Sequence, residues 1–259
     1  MIGLIDTHAH YNSLDVKNLN DEVISINNNK NISKIINVGI DYQTTKEAID
    51  ISLNNSKFYA TMGIHPLKDG SIDIFEYLIN DYDISKVVAI GETGIDTNNY
   101  IDIQMKKFIS SIELANKLKL PIIIHSNTVK NSSIDANKFC LEILKTYKPE
   151  YGFVFHCFQP DLDVLASIIH MGGYVSLGPM ILKKNANKSL EVIRQVDINN
   201  LLIETDYPYL SDSEDLLIKV FKKICLIRQI DEKLMNNQLT ENAKRLFYKF
   251  DVNPNWETS

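Results

Sequence analysis

The sequence predicts a single (β/α)8 TIM barrel of class α/β, and three observations carry that prediction. Eight short runs rich in Ile and Val recur along 259 residues, a length that barrels of this kind commonly occupy. Longer segments with helical periodicity separate the runs, so each run with its follower reads as part of a βαβ series. The runs are continuously apolar, as parallel strands buried on both faces must be. An open doubly wound sheet is the alternative. It is weakened because no phosphate-cradling Gly-rich loop follows the first run.

In chain order the predicted strands are "LID" (Leu4 to Asp6), "KIINVG" (Lys34 to Gly39), "FYATMG" (Phe58 to Gly63) and "VVAIGE" (Val87 to Glu92). Then come "PIIIHS" (Pro121 to Ser126), "GFVFHC" (Gly152 to Cys157), "GYVSLG" (Gly173 to Gly178) and "LLIETD" (Leu201 to Asp206). Each is followed by a polar or Gly-containing turn. Amphipathic periodicity predicts helices at Gln43 to Leu53, Asp102 to Leu118, Ala136 to Tyr147 and Leu162 to Met171, the last stopped by a Gly-Gly breaker. Two more, Glu214 to Arg228 and Glu232 to Phe250, follow the eighth strand and are expected to close the bottom or flank. With no linker and no internal repeat, residues 1–259 read as one domain.

Hydrophobic residues make up 44% and charged residues 23%, an ordinary globular balance. The formal net charge of -6 implies no broad basic face of the kind that grips duplex nucleic acid, so positive charge for a polyanion has to be local. No segment approaches the roughly 20 apolar residues that span a bilayer, and the N-terminus has no basic stretch leading into a long apolar run. The expectation is a soluble cytoplasmic protein without a membrane partner, and a monomer is compatible with it. Cys140, Cys157 and Cys225 are far apart and form no C-x-x-C pair, which reads as reduced, packed thiols.

The chemistry gathers where barrel sites lie, at the C-terminal ends of the strands. The first strand runs into His8 and His10, the third leads to His65, the fourth ends in Glu92, the fifth in His125, the sixth in His156 and the eighth in Asp206. Five of the chain's six histidines are thus at strand ends. Side chains two apart on a strand share a face, so His8 and His10 can chelate one ion together. Asp6 has the same parity and is expected to accept an imidazole N–H. The remaining donors come from four other strands and make a set large enough for two divalent ions. Nitrogen with oxygen donors suits Zn, Mn or Fe, and open positions suit Mg. His170 reads as a solvated or capping residue near a helix end. Cys157 is expected to face away from its neighbour His156. Lys183 and Lys184 are within reach of an anionic substrate but are more simply wet surface.

Eight segments, "DTHAH", "GIHP", "GETGID", "PIIIHS", "FHCF", "GYVSLG", "ETDYPYL" and "TENAKRLF", together resemble the TatD family of metal-dependent hydrolases in the amidohydrolase superfamily. The match runs in order from Asp6 to Phe247. The resemblance implies a TIM barrel with a dinuclear metal centre that hydrolyses DNA, often from the 3′ end. It implies that His8, His10, Asp206 and Glu92 hold one metal, that Glu92 bridges to a second held by His125 and His156, and that His65 serves the substrate phosphate as ligand or proton shuttle. Asp206, Glu92 and His65 are then the catalytic residues.

The chain departs from the family pattern at Thr97 and Asn98, where an aromatic pair is usual, and at Asn127, where an arginine is common. It departs again at Gln159 and Pro160 in place of Ser-Gly, and from Ser211 onward in "SDSEDL". These positions are expected on substrate-side loops, which leaves DNA, RNA or a smaller phosphoester open. Two other readings stand beside the nuclease. One is a hydrolase of a small-molecule ester or amide, disfavoured because the fourth strand ends in Glu92 where such relatives often carry a bridging lysine. The other is a barrel kept for metal binding alone.

Overall fold

The computed structural model describes residues 3–14, 16–211, 213 and 215–251. Eight parallel strands pair in strict sequence order: β1 (Leu4–Ala9), β2 (Ile32–Asn37), β3 (Phe58–Met62), β4 (Val87–Asp96), β5 (Ile122–Asn127), β6 (Phe153–Phe155), β7 (Tyr174–Leu177) and β8 (Leu201–Ile203). Helices α1 (Val16–Asn28), α2 (Tyr42–Asn54), α3 (Phe75–Asp81), α4 (Ile101–Leu118), α5 (Ala136–Thr146), α6 (Leu162–His170) and α7 (Asn187–Gln195) connect them, and α8 (Asp215–Arg228) and α9 (Glu232–Leu246) follow the last strand. The expected (β/α)8 barrel is therefore what forms. The sequence pattern underestimates β4, which continues to Asp96, and α1, α3 and α7 join the helices named from periodicity. Glu214, the predicted start of α8, lies outside the described residues.

Aspartate side chains set several of the helix starts. Asp41 accepts the Thr44 N–H at 2.9 Å while Thr44 Oγ1 accepts the Asp41 N–H at 3.0 Å, a reciprocal capping box that starts α2. Asp161 and Asp231 cap α6 and α9 through pairs of backbone N–H groups.

The barrel interior is filled by one residue from every strand, Ile5, Ile36, Tyr59, Val88, Ile123, Val154, Tyr174 and Leu202, packed onto Leu246, Phe247 and Phe250 from the end of α9 and the turn after it. The Phe250 carbonyl accepts the Tyr59 hydroxyl at 2.8 Å and the Lys34 ammonium at 3.2 Å. The N-terminal mouth is thus plugged, as the two extra helices were expected to do. Only the C-terminal mouth is left for chemistry.

The seam between β8 and β1 carries the first functional consequence. Asp6 takes the Thr205 N–H at 3.0 Å, the Thr205 hydroxyl at 2.6 Å and the His8 N–H at 3.2 Å, and the Asp206 N–H donates to His8 O at 2.9 Å. These bonds hold Asp206 beside the first-strand histidines. They also correct the expected role of Asp6, whose carboxylate touches no imidazole nitrogen. The β1 register shifts between Asp6 and Ala9, so counting by twos from Asp6 to His8 fails. Burial pushes the Asp6 carboxyl up to about 7 against the pull of its hydrogen bonds.

Candidate metal centre

At the open mouth Glu92 stands between two sets of donors. Its Oε2 lies 3.4 Å from His8 Nε2 and 3.6 Å from His10 Nε2. Its Oε1 lies 2.6 Å from His125 Nδ1, 2.8 Å from His156 Nε2 and 3.6 Å from His65 Nε2. Asp206 Oδ1 completes the first set, 3.4 Å from His10 Nε2 and 3.9 Å from His8 Nε2. All seven residues singled out from strand ends therefore meet at one place.

Fit to a metal can be tested on the donor atoms themselves. His10 Nδ1 donates to the Val38 carbonyl at 3.0 Å, which puts its proton there and leaves a lone pair on Nε2. That lone pair faces His8 Nε2 at only 3.0 Å. Ligands at about 2.1 Å in a tetrahedral shell stand about 3.4 Å apart, and the five separations given for His8, His10, Glu92 Oε2 and Asp206 run from 3.0 to 3.9 Å. In the second set His125 Nε2 donates to Asp96 Oδ2 at 3.2 Å, so its Nδ1 lone pair points at the Glu92 oxygen. Only a positive particle, a proton or a metal ion, makes that approach favourable. The donor set fits divalent metal binding on either side of Glu92.

Electrostatics agree. Burial opposes charge on Glu92, but His156, His125 and His8 outweigh it and hold the carboxyl well below the usual range. Burial would lower His156, yet Glu92 and Glu204 raise it well above an ordinary imidazole. Asp206 is likewise held down by His10, His8 and His156 against the effect of its burial.

His65 differs from the others. The Leu67 N–H donates to its Nδ1 at 3.1 Å, so its single proton sits on Nε2. Burial pushes its pKa down to about 4, against the attraction of Glu92. The ring presents a neutral N–H to the cavity and no lone pair.

Two supporting carboxylates escaped the sequence reading. Asp96, at the end of β4, holds His125 and in turn accepts the Asn98 N–H at 2.8 Å and the Asn127 side-chain amide at 3.1 Å. Glu204 lies 3.7 Å from His156 Nδ1 and accepts the Cys157 N–H. The available signal was spacing, since Asp96 stands four residues after Glu92 and Glu204 two before Asp206, on strands already chosen. Two of the positions expected on substrate-side loops, Asn127 and Thr97, also make bonds within the fold. Asn127 braces Asp96, and Thr97 Oγ1 accepts the Val129 N–H at 2.8 Å within the fold.

Two cavities open over the centre. One of about 380 Å³ lies between His10, His65, Lys68 and Tyr209, and one of about 650 Å³ lies along the β5 to β7 side, where Lys183 but not Lys184 lines it. Both are walled by His125, His156 and Asp206. Cys157 faces the larger one, with its thiol pushed up to about 12 by burial and by Glu204. His170 is exposed in the last turn of α6, away from the centre.

A family model described as TatD related DNase matches residues 5–248. The chain belongs to the TatD-related DNase family. YabD of Bacillus subtilis, named an uncharacterized metal-dependent hydrolase, is 34% identical to this TatD-family chain over 260 residues, spanning 94% of the chain and 98% of YabD. Deoxyribonuclease Tat-D of Schizosaccharomyces pombe is 30% identical over 207 residues, 73% of the chain and 64% of that protein. Among solved structures, the TatD homolog YJJV of Escherichia coli superposes with a TM-score of 0.83 at 25% identity, covering 96% of this chain and 99% of that one. No helix among the described residues of this TatD-family barrel is long and apolar enough to cross a membrane.

Proposed function

We propose that the protein is a metal-dependent phosphodiester hydrolase that removes nucleotides from DNA ends, a TatD-type deoxyribonuclease acting 3′ to 5′. The observation that carries this reading is the split carboxylate of Glu92, one oxygen toward His8 and His10 and the other toward His125 and His156. His8, His10, Glu92 and Asp206 would hold one divalent ion, and Glu92, His125 and His156 a second. Zn, Mn and Fe match the mixed nitrogen and oxygen donors, and Mg is admissible at open positions. Two such ions, when bound, lower the pKa of water and stabilise the entering and departing oxygens of an in-line displacement at phosphorus.

The chain's own groups do the rest. Asp206 is buried but lines the cavity, and its carboxylate orients the attacking water and accepts its proton. The neutral His65 Nε2–H donates to a phosphate oxygen as charge builds on it. Lys68, paired with Asp41 at 3.2 Å, stands at the rim of the same cavity as a further cation for the phosphate. The acidic chain needs this local positive charge.

End-labelled single-stranded DNA, incubated with Mg²⁺, Mn²⁺ or Zn²⁺ and resolved on a gel, tests the reading beside RNA and small ester and amide substrates. Stepwise shortening that EDTA and Glu92→Ala both abolish is the expected result. Intact DNA and RNA alongside metal-dependent cleavage of an ester or amide would replace it with the small-molecule hydrolase.

A further inference from the structure

Resting on the phosphodiesterase reading, a second inference concerns what the larger cavity receives. Its volume, about 650 Å³, lies within the roughly 300–1,000 Å³ of small-ligand sites. It opens directly onto His125, His156 and Asp206, so a group seated there is continuous with a phosphoryl group at the metal centre. Lys183 is the one lysine or arginine among its described lining residues, and Phe158, Met180, Ile181 and Leu210 supply apolar walls. Such walls suit a flat uncharged ring better than a second phosphate.

The polar contribution comes from an amide relay whose orientation can be derived. Asn127 stands 3.1 Å from Asp96 Oδ2. Because a carboxylate offers only lone pairs, the Asn127 group facing it is the NH2, and Asn127 Oδ1 must point the other way. That oxygen meets Gln159 Nε2 at 3.1 Å and accepts its N–H. Gln159 is exposed, and its Oε1 acceptor and second N–H, neither with a partner among the described residues, are open to water at the edge of the cavity it lines. An adjacent acceptor and donor held in this way complement the donor and acceptor side by side on the pairing edge of every nucleobase.

We propose that the cavity between β5 and β7 is a nucleoside subsite, and that Gln159, fixed through Asn127 and Asp96, reads the pairing edge of the base attached to the scissile phosphate. The relay ends on His125, so the residue that reads the base and the residue that would hold a cation are braced by one carboxylate. All four bases carry the matching edge, so the subsite accepts any of them. It rejects a base whose edge is blocked.

The test uses the full chain freed of metal with EDTA, so that binding is read apart from catalysis. Thymidine, N3-methylthymidine and inorganic phosphate are titrated separately by calorimetry. Thymidine is expected to bind, with N3-methylthymidine at least fivefold weaker, the loss that one hydrogen bond represents. Gln159→Ala should erase that difference, and Ala186→Trp, which fills the cavity from a half-buried position, should remove binding of both nucleosides. Equal affinity of the two nucleosides for the unaltered chain, or no affinity for either, overturns the proposal. So does thymidine displaced by equimolar phosphate. Hydrolysis of bis(p-nitrophenyl) phosphate with Mn²⁺ separates the two failures. If that ester is cleaved while thymidine does not bind, the subsite alone falls; if thymidine binds as expected and no phosphodiester is cleaved, the subsite stands and the phosphodiesterase reading falls.

Discussion

His125 is held from both sides, by Glu92 at 2.6 Å through Nδ1 and by Asp96 at 3.2 Å through Nε2. A carboxylate behind a metal-facing imidazole fixes its tautomer and makes its free nitrogen a better donor. Asp96→Ala should therefore weaken Mn²⁺ binding by about 10- to 100-fold, read by titration calorimetry, while Asp96→Asn, which still offers an oxygen to the ring, should lose less. Asp96 also makes an acid-side contribution to stability. Burial would raise its pKa, but His125, the Asn98 N–H and the Asn127 amide hold it down to about 2, below its ordinary 3.8. A depressed folded-state value means that the stabilisation is complete above about pH 4 and is lost as pH falls toward 2. Melting curves of the Asp96→Ala variant should accordingly show a smaller loss over that interval than the unaltered chain shows.

At the scale of elements, the site depends on how closely β4 can approach β5. Gly94 has φ +142°, and a Cβ added there would sit 2.1 Å from His125 O, a contact that neither backbone can relieve without moving. Gly94→Ala should destabilise the fold by about 1–3 kcal/mol, lower the melting temperature by several degrees and weaken metal binding in the same preparation. An unchanged melting curve would mean that the strands are free to part. Element boundaries also decide what was legible beforehand. The histidines, Glu92 and Asp206 could be picked out because each stands where a continuous apolar run stops, and that pattern needs no knowledge of register. The role of Asp6 depends on a register shift in β1, which leaves no mark in composition. Asp96 was hidden by a strand that runs four residues further than its apolar stretch, and Glu204 by its neighbour Asp206.

For the molecule as a whole, stability and chemistry occupy opposite ends of the barrel. The end of α9 and the following turn close one mouth with Leu246, Phe247 and Phe250, while the other gathers imidazoles and carboxylates that could hold metal ions. His8 Nδ1, His156 Nδ1 and Glu204 Oε2 are buried there without a hydrogen-bond partner among the described residues. Cations held there would supply the local positive charge that a chain of net charge -6 otherwise lacks. If the Glu92 carboxylate is shared between two cation sites, crystals soaked in Mn²⁺ should show it in the anomalous difference map. Two peaks are predicted, one among His8, His10 and Asp206 and one between His125 and His156, with the Glu92 carboxylate between them. A map with no peak at the open mouth, or with Glu92 touching neither ion, would contradict it.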